Sequence, residues 1–282
     1  MHLFSRAPTP TELECAAREW QAQPVNLRIV NESPRVKPSV QPLLLGGARR
    51  AARSLRNLFR RPLPSRHANE YATHLPVLVG LAQALRIRRV LEFGSGYHST
   101  RVFLNRSAFP ELVSLHSIES DAEWIPKVRE ATHRESRLLL KYVPEPIESV
   151  LDDLALESYD LIFVDSSAES SRRVATISAV AERCPSLVLV VIHDFENVMY
   201  RKAAKKFQRR FEFAAFNPCT AVVWYGGRKS HRALKEIRKI IFRHANEFAL
   251  NDVEAWCAAF QKEMKQGLAR ESERPNPTPS GT

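Results

Sequence analysis

Val90-Leu91-Glu92-Phe93-Gly94-Ser95-Gly96-Tyr97-His98-Ser99-Thr100 is the stretch on which the reading of this chain turns. The charged pair Arg88-Arg89 precedes an apolar run, a pattern that predicts a buried parallel strand. The run ends in an acid and two glycines, and Ser99-Thr100 then opens the apolar pattern Val102, Phe103, Leu104. Strand, glycine turn and helix start together make a nucleotide-type site. Glycine lets the backbone approach a ligand closely, and the first helical N–H groups favour an anion or carboxylate. The spacing is Glu-x-Gly-x-Gly, with Ser99 standing where a dinucleotide fingerprint has its third glycine. A turn of this kind also fits any strand-to-helix connection, so its neighbours must decide.

Downstream, strand and helix signals alternate. Leu112 to Glu119 predicts a second strand ending in acid, Ala122 to Ala131 a helix, and Arg137 to Val143 a third strand. Ile147 to Leu156 predicts a helix, Tyr159 to Asp165 a fourth strand, Arg172 to Arg183 a helix, and Ser186 to Asp194 a fifth strand. Such alternation implies a parallel sheet wound right-handedly and covered on both faces. A basic helix over Arg201 to Arg210 is expected next, then strands at Phe211 to Ala215 and Ala221 to Tyr225. The Asn217-Pro218-Cys219 connection is too short for a crossover helix, so this last pair must be antiparallel.

The flanks differ from this core. Upstream, Thr11 to Gln23 and Ala48 to Arg61 have helical spacing around a proline-spaced stretch, and Tyr71 to Leu85 predicts an apolar helix leading into the first strand. Beyond Gly226-Gly227, Ser230 to Phe248 predicts a basic amphipathic helix, and Asn251 is read as the N-cap of a last helix. The expected division is a basic extension over 1–70, a core domain over 71–227, a helical extension over 228–270 and a disordered Pro/Ser/Gly tail over 271–282.

Charge follows the same division. The net charge is +11, with 12 Lys/Arg against 5 Asp/Glu in residues 1–70, 13 against 18 in 71–200, and 17 against 8 in 201–282. The basic flanks could meet nucleic acid, an anionic membrane surface or an acidic substrate, and the basic helices could also face a second copy of the chain in a homo-oligomer. No apolar run reaches the roughly 18 residues that span a bilayer, and the first ten residues lack the layout of a secretory signal, so a cytoplasmic protein is expected. Cys15, Cys184, Cys219 and Cys257 are scattered without a Cys-x-x-Cys pair, which argues against a structural zinc site or a disulfide framework.

Taken together, Glu92-Phe93-Gly94-Ser95-Gly96, the acid Glu119 lying 25 residues after Gly94, and the closing antiparallel hairpin resemble the class I S-adenosylmethionine-dependent methyltransferases over roughly Tyr71 to Tyr225. Val164-Asp165 and Ile192-His193-Asp194-Phe195 look like the strand ends of the small-molecule O-methyltransferase-like branch. The resemblance implies an α/β, Rossmann-like seven-stranded sheet of order 3-2-1-4-5-7-6, strand 7 antiparallel, with helical N- and C-terminal extensions. It also implies S-adenosyl-L-methionine as cofactor, with a small-molecule or glycan-type acceptor methylated on oxygen or nitrogen.

What the resemblance implies for single residues has physical sense. Glu92 would reach the cofactor's ammonium group, and Glu119 would accept bonds from both ribose hydroxyls. Gly94, Ser95 and Gly96 would leave room for the methionine portion, Ser99 and Thr100 would bind its carboxylate, and His98 would touch the same end. Adenine would sit near Val143 to Glu145. Ligands lie at the carboxyl ends of parallel strands, which puts Asp165, His193 and Asp194 beside the methyl group. His193 would serve as base. A divalent ion on Asp165 and Asp194, with Glu196 and Asn197 in support, is an alternative, but Phe195 stands where metal-dependent relatives have Asn, so no metal is expected.

Other readings stay open at this level. The basic flanks suit an RNA methyltransferase, but Asp165-Ser166-Ser167 replaces the base-amino methylating motif after the fourth strand, and Cys184-Pro185 is a poor match for a cytosine-attacking cysteine. A catalytically silent binding module with the same fold is a further alternative. A nicotinamide dehydrogenase is disfavoured by Ser99 and by the hairpin.

Overall fold

The computed structural model describes residues 70–272 except 134, 168, 227 and 228. The expectations placed on residues 1–69 and on the tail after Ser272 lie outside the described residues. Strands β1 (Arg89–Phe93), β2 (Ser114–Glu119), β3 (Leu138–Tyr142), β4 (Leu161–Val164), β5 (Leu189–Ile192), β6 (Arg209–Phe213) and β7 (Thr220–Trp224) form one sheet. Its order is β3-β2-β1-β4-β5-β7-β6, as expected. The first five strands pair in parallel, and β7 runs antiparallel to both β5 and β6.

Apolar residues on successive positions of a strand point to opposite faces, so a strand buried on both sides feeds two cores. Val90, Leu161, Phe163, Leu189 and Val191 join one core, whereas Leu91, Ile162, Val164, Val190 and Ile192 join the other. The first core is closed by helices α1 (Leu75–Ala84) and α2 (Ser99–Leu104), together with α6 (Lys229–His244) and α7 (Val253–Ser272). The second is closed by α4 (Ser170–Arg183), α5 (Val198–Ala203) and a 3₁₀ segment at Ile147–Asp153. Helix α3 (Trp124–Ala131) connects β2 to β3.

α1 is buried from Leu75 through Leu81. At Gly80 it lies so close to α6 and α7 that an added Cβ would stand 2.6 Å from Ile237 and 2.7 Å from Phe260. The apolar stripe of α6, Leu234, Ile237, Ile240 and Ile241, is fully spent on this contact, and Arg232, Lys235, Arg238 and Lys239 face outward. No helix among the described residues is long and apolar enough to cross a membrane.

Several expected elements take another form. Ile147 to Leu156 is not an α-helix but the 3₁₀ segment followed by a second short turn at Leu156–Ser158; apolar residues at Ile147, Val150 and Leu151 need only a tight turn or two to reach the core. The basic helix ends early, because Arg209 and Arg210 already belong to β6. The last helix is capped by Asp252, whose Oδ1 accepts from Ala255 N, rather than by Asn251.

Candidate active site

The carboxyl ends of β1, β2, β4 and β5 gather the polar residues singled out in the sequence. Around the glycine turn these residues hold one another. Glu92 is 0% exposed, and its Oε2 accepts from Thr100 Oγ1 at 2.7 Å and from Ser117 Oγ at 2.5 Å. Thr100 Oγ1 also accepts from Gly96 N at 2.9 Å, so one hydroxyl ties the turn to the strand. Ser95 Oγ and Ser117 Oγ are 2.7 Å apart. Burial, opposed by the hydroxyls of Ser117, Ser99 and Thr100, pushes the Glu92 carboxyl up to about 7. Its Oε1 is buried without a partner.

Glu119 closes the turn from β2. Oε2 accepts from Ser95 N at 2.9 Å, and Oε1 accepts from Ser120 N and Asp121 N at 2.8 and 2.9 Å. A carboxylate offers about four lone-pair sites, so this count leaves room for about one further donor rather than two ribose hydroxyls. Burial raises the Glu119 pKa despite these three backbone bonds. Trp124 Nε1 donates to Ser95 O at 2.8 Å, and Tyr97 packs edge-on against the Trp124 ring. The glycines have different surroundings. Gly94 has φ +90°, and an added Cβ would stand 2.5 Å from Asp165 O, so its bare Cα abuts the backbone at the end of β4. At Gly96 the nearest atom to an added Cβ would be Ser99 Oγ at 3.4 Å, an ordinary contact.

A second cluster lies at the ends of β4 and β5. His193 continues the parity of Leu189 and Val191 toward α1 and is 4% exposed. Its Nε2 is 2.9 Å from Thr73 Oγ1, and its Nδ1 is 3.3 Å from Asp165 Oδ1 and 3.4 Å from Asp194 Oδ1. Burial lowers the His193 pKa, but Asp165 and Asp194 lift it more, for a net rise. Asp165 shows the reciprocal effect: burial would raise it, yet His193, Arg173 and His74 together hold it at about 2. Arg173, buried on α4, donates through one terminal nitrogen to Asp194 Oδ2 at 2.7 Å, and the same nitrogen lies 3.0 Å from Asp165 Oδ1. Its other nitrogens hold the Ser166 and Ser167 carbonyls.

The guanidinium already bridges Asp165 and Asp194, which counts against the divalent ion that the sequence offered only as an alternative there. The two residues named in support are engaged elsewhere: Glu196 accepts from Cys219 N, and Asn197 caps α5. Asp194 sits at φ +54°, a left-handed conformation that costs a non-glycine residue on the order of 1 kcal/mol or more and is held here by Arg173. His98 lies within electrostatic reach of Asp165, and burial followed by Arg101 lowers its pKa.

Sequence reasoning missed three residues of this cluster, Thr73, His74 and Arg173. His74 occupies the N-cap position of α1 but makes no capping bond. It is 2% exposed, packs against the rings of His193 and Phe163, and has both ring nitrogens buried without partners. Only the Thr-His pair ahead of an apolar helix could have pointed to it.

A glycine turn after β1, an acid at the tip of β2 and a sheet closed by an antiparallel β7 settle the architecture. The chain has the class I methyltransferase fold. No family model matches the sequence, and no curated protein matches it. Solved structures similar to it include spermidine synthase from Thermotoga maritima, at 13% identity over 71% of this chain and 75% of that one, with a TM-score of 0.45. An O-methyltransferase family protein from Burkholderia thailandensis matches at 11% identity over 55% and 56%, with a TM-score of 0.42. The N-methyltransferase NodS from Bradyrhizobium japonicum, solved with S-adenosyl-L-homocysteine, matches at 14% over 57% and 87%, with a TM-score of 0.39. Each is a likeness of fold alone.

Proposed function

We propose that this methyltransferase fold binds S-adenosyl-L-methionine and transfers its methyl group to an oxygen or nitrogen of a small-molecule or glycan-type acceptor. The observation that carries the reading is the convergence, at one end of the sheet, of the Gly94–Gly96 turn, its two buried carboxylates and the Asp165–His193 pair. The residues fit the cofactor. Glu92 Oε1 is an unfilled buried acceptor beside the turn, suited to an ammonium or an intervening water. Glu119 keeps acceptor capacity for one ribose hydroxyl, and Gly96 is less crowded than Gly94.

The cofactor, when bound, supplies an activated methyl on a sulfonium. The chain then contributes mainly position, which is where most of the rate gain in such a transfer arises. His193 has both nitrogens engaged, so it accepts a proton only by exchanging a partner. An acceptor hydroxyl in place of Thr73 Oγ1 would meet Nε2 of an imidazole whose other nitrogen faces Asp165, a pair suited to holding the proton released as the new bond forms. Arg173 fixes Asp165 and Asp194 in place for that exchange.

Calorimetry and thermal shift with S-adenosyl-L-homocysteine test the cofactor assignment. One molecule bound per chain, with a Tm that rises with concentration, is the expected result; a flat melting curve at millimolar ligand removes the assignment. Transfer of labelled methyl to an acceptor panel then tests the activity, and Thr73→Val should change KM and kcat differently from His193→Gln.

A further inference from the structure

We infer that His74, Asp165 and His193 form a binding site for a divalent first-row transition ion, of the zinc or iron(II) kind. Each residue offers one ligand atom, and these atoms all lie within 4.8 Å of one another. Metal–ligand bonds of roughly 2.0–2.2 Å place ligand atoms about 3–4.4 Å apart, so shifts of a few tenths of an ångström close the site. Two imidazoles and one carboxylate are a borderline donor set that favours transition ions over Mg²⁺ or Ca²⁺, which prefer oxygen throughout.

An independent observation points the same way. His74 is buried with neither ring nitrogen bonded, and such a group costs free energy unless something fills it. A coordinated ion would give one of the two nitrogens a partner. His193 and Asp165 have the supporting bonds that metal-bound histidine and carboxylate need. His193 would ligate through Nδ1, the nitrogen facing Asp165, while Nε2–H donates to Thr73 Oγ1 and fixes the tautomer. Arg173 keeps hold of Asp165 Oδ1, and Oδ2, which accepts no hydrogen bond from the described residues, is left for the ion. Three protein ligands leave positions open for water or an acceptor oxygen. The described cysteines do not compete, since burial pushes the thiols of Cys184 and Cys219 up to about 12 and that of Cys257 up to about 11.

In the loaded form His193 is a ligand and no longer the base, and the ion lowers the pKa of whatever hydroxyl it binds. Binding is nevertheless read without methyl donor or acceptor, so this inference and the methyl-transfer reading fail separately. The full chain, stripped with chelator, is titrated with Co²⁺ and Zn²⁺ under calorimetry and visible absorption. One ion per chain, a Co²⁺ ligand-field band and a raised Tm are expected, with Mg²⁺ giving none of these. His74→Phe should fold, because the site is lined by rings, yet bind on the order of 100-fold more weakly or worse. Asp165→Asn should do likewise, and exposed His231→Ala should bind as the wild type does. Absence of the Co²⁺ band in the wild type overturns the site whatever the variants do, as does binding that survives in both His74→Phe and Asp165→Asn.

Discussion

The two halves of the candidate site are built on opposite plans. Around the glycine turn, Glu119 accepts three backbone N–H groups, Thr100 both accepts and donates, and Glu92 Oε1 is left over. At the ends of β4 and β5 the charges are crowded, Asp194 holds a left-handed backbone, and His74 has nothing bonded to either nitrogen. The first half uses its polar atoms to hold a shape. The second keeps polar atoms in reserve, at a cost in stability, and reserve of that kind is what ligand binding draws on.

The largest expected effect lies where the halves touch. Gly94→Ala puts a Cβ against the Asp165 carbonyl at a positive φ, and should cost about 4 kcal/mol or abolish folding. A Tm within a few degrees of wild type would mean that the turn is not locked and would break the comparison. Glu92→Gln comes next. The folded pKa of about 7 is above the unfolded value near 4.5, so the stability tied to the protonated form is complete below pH 4.5 and is lost as pH rises through 7. The loss is about 3 kcal/mol. Glu92→Gln should flatten this dependence between pH 4.5 and 8 in melts run without ligand. An unchanged slope would place the titrating group elsewhere.

Two smaller effects concern α1, which carries His74 at its first turn. Gly80→Ala should cost about 2 kcal/mol, because Ile237 and Phe260 leave no room for a methyl group. His74→Phe should instead stabilise the metal-free protein by about 1 kcal/mol in urea titration, by removing two unbonded buried nitrogens. A destabilisation as large as that of Gly80→Ala would mean that the strand-end half is as tightly built as the turn, and the contrast would fall.

What could be read in advance follows from how each feature is encoded. Apolar runs such as Leu161–Val164 and Leu189–Ile192 announce buried strands, and the residues after them, Asp165 and His193, are placed at strand ends by counting. The short Asn217-Pro218 connection gives an antiparallel pair. Partner choice is not encoded this way. Thr73 and His193 meet across 120 residues, and Arg173 shares the buried face of α4 with Ile177 and Val180, where a basic residue is not expected. Periodicity also says that Ile147, Val150 and Leu151 turn inward, but the same spacing serves a 3₁₀ segment as well as an α-helix.

The tight seat of Gly80 gives α1 a role beyond packing. This one rod is gripped near its middle by the two C-terminal helices, and its leading end delivers an imidazole to the carboxyl ends of β4 and β5. The C-terminal helices and the candidate site thus share one rod.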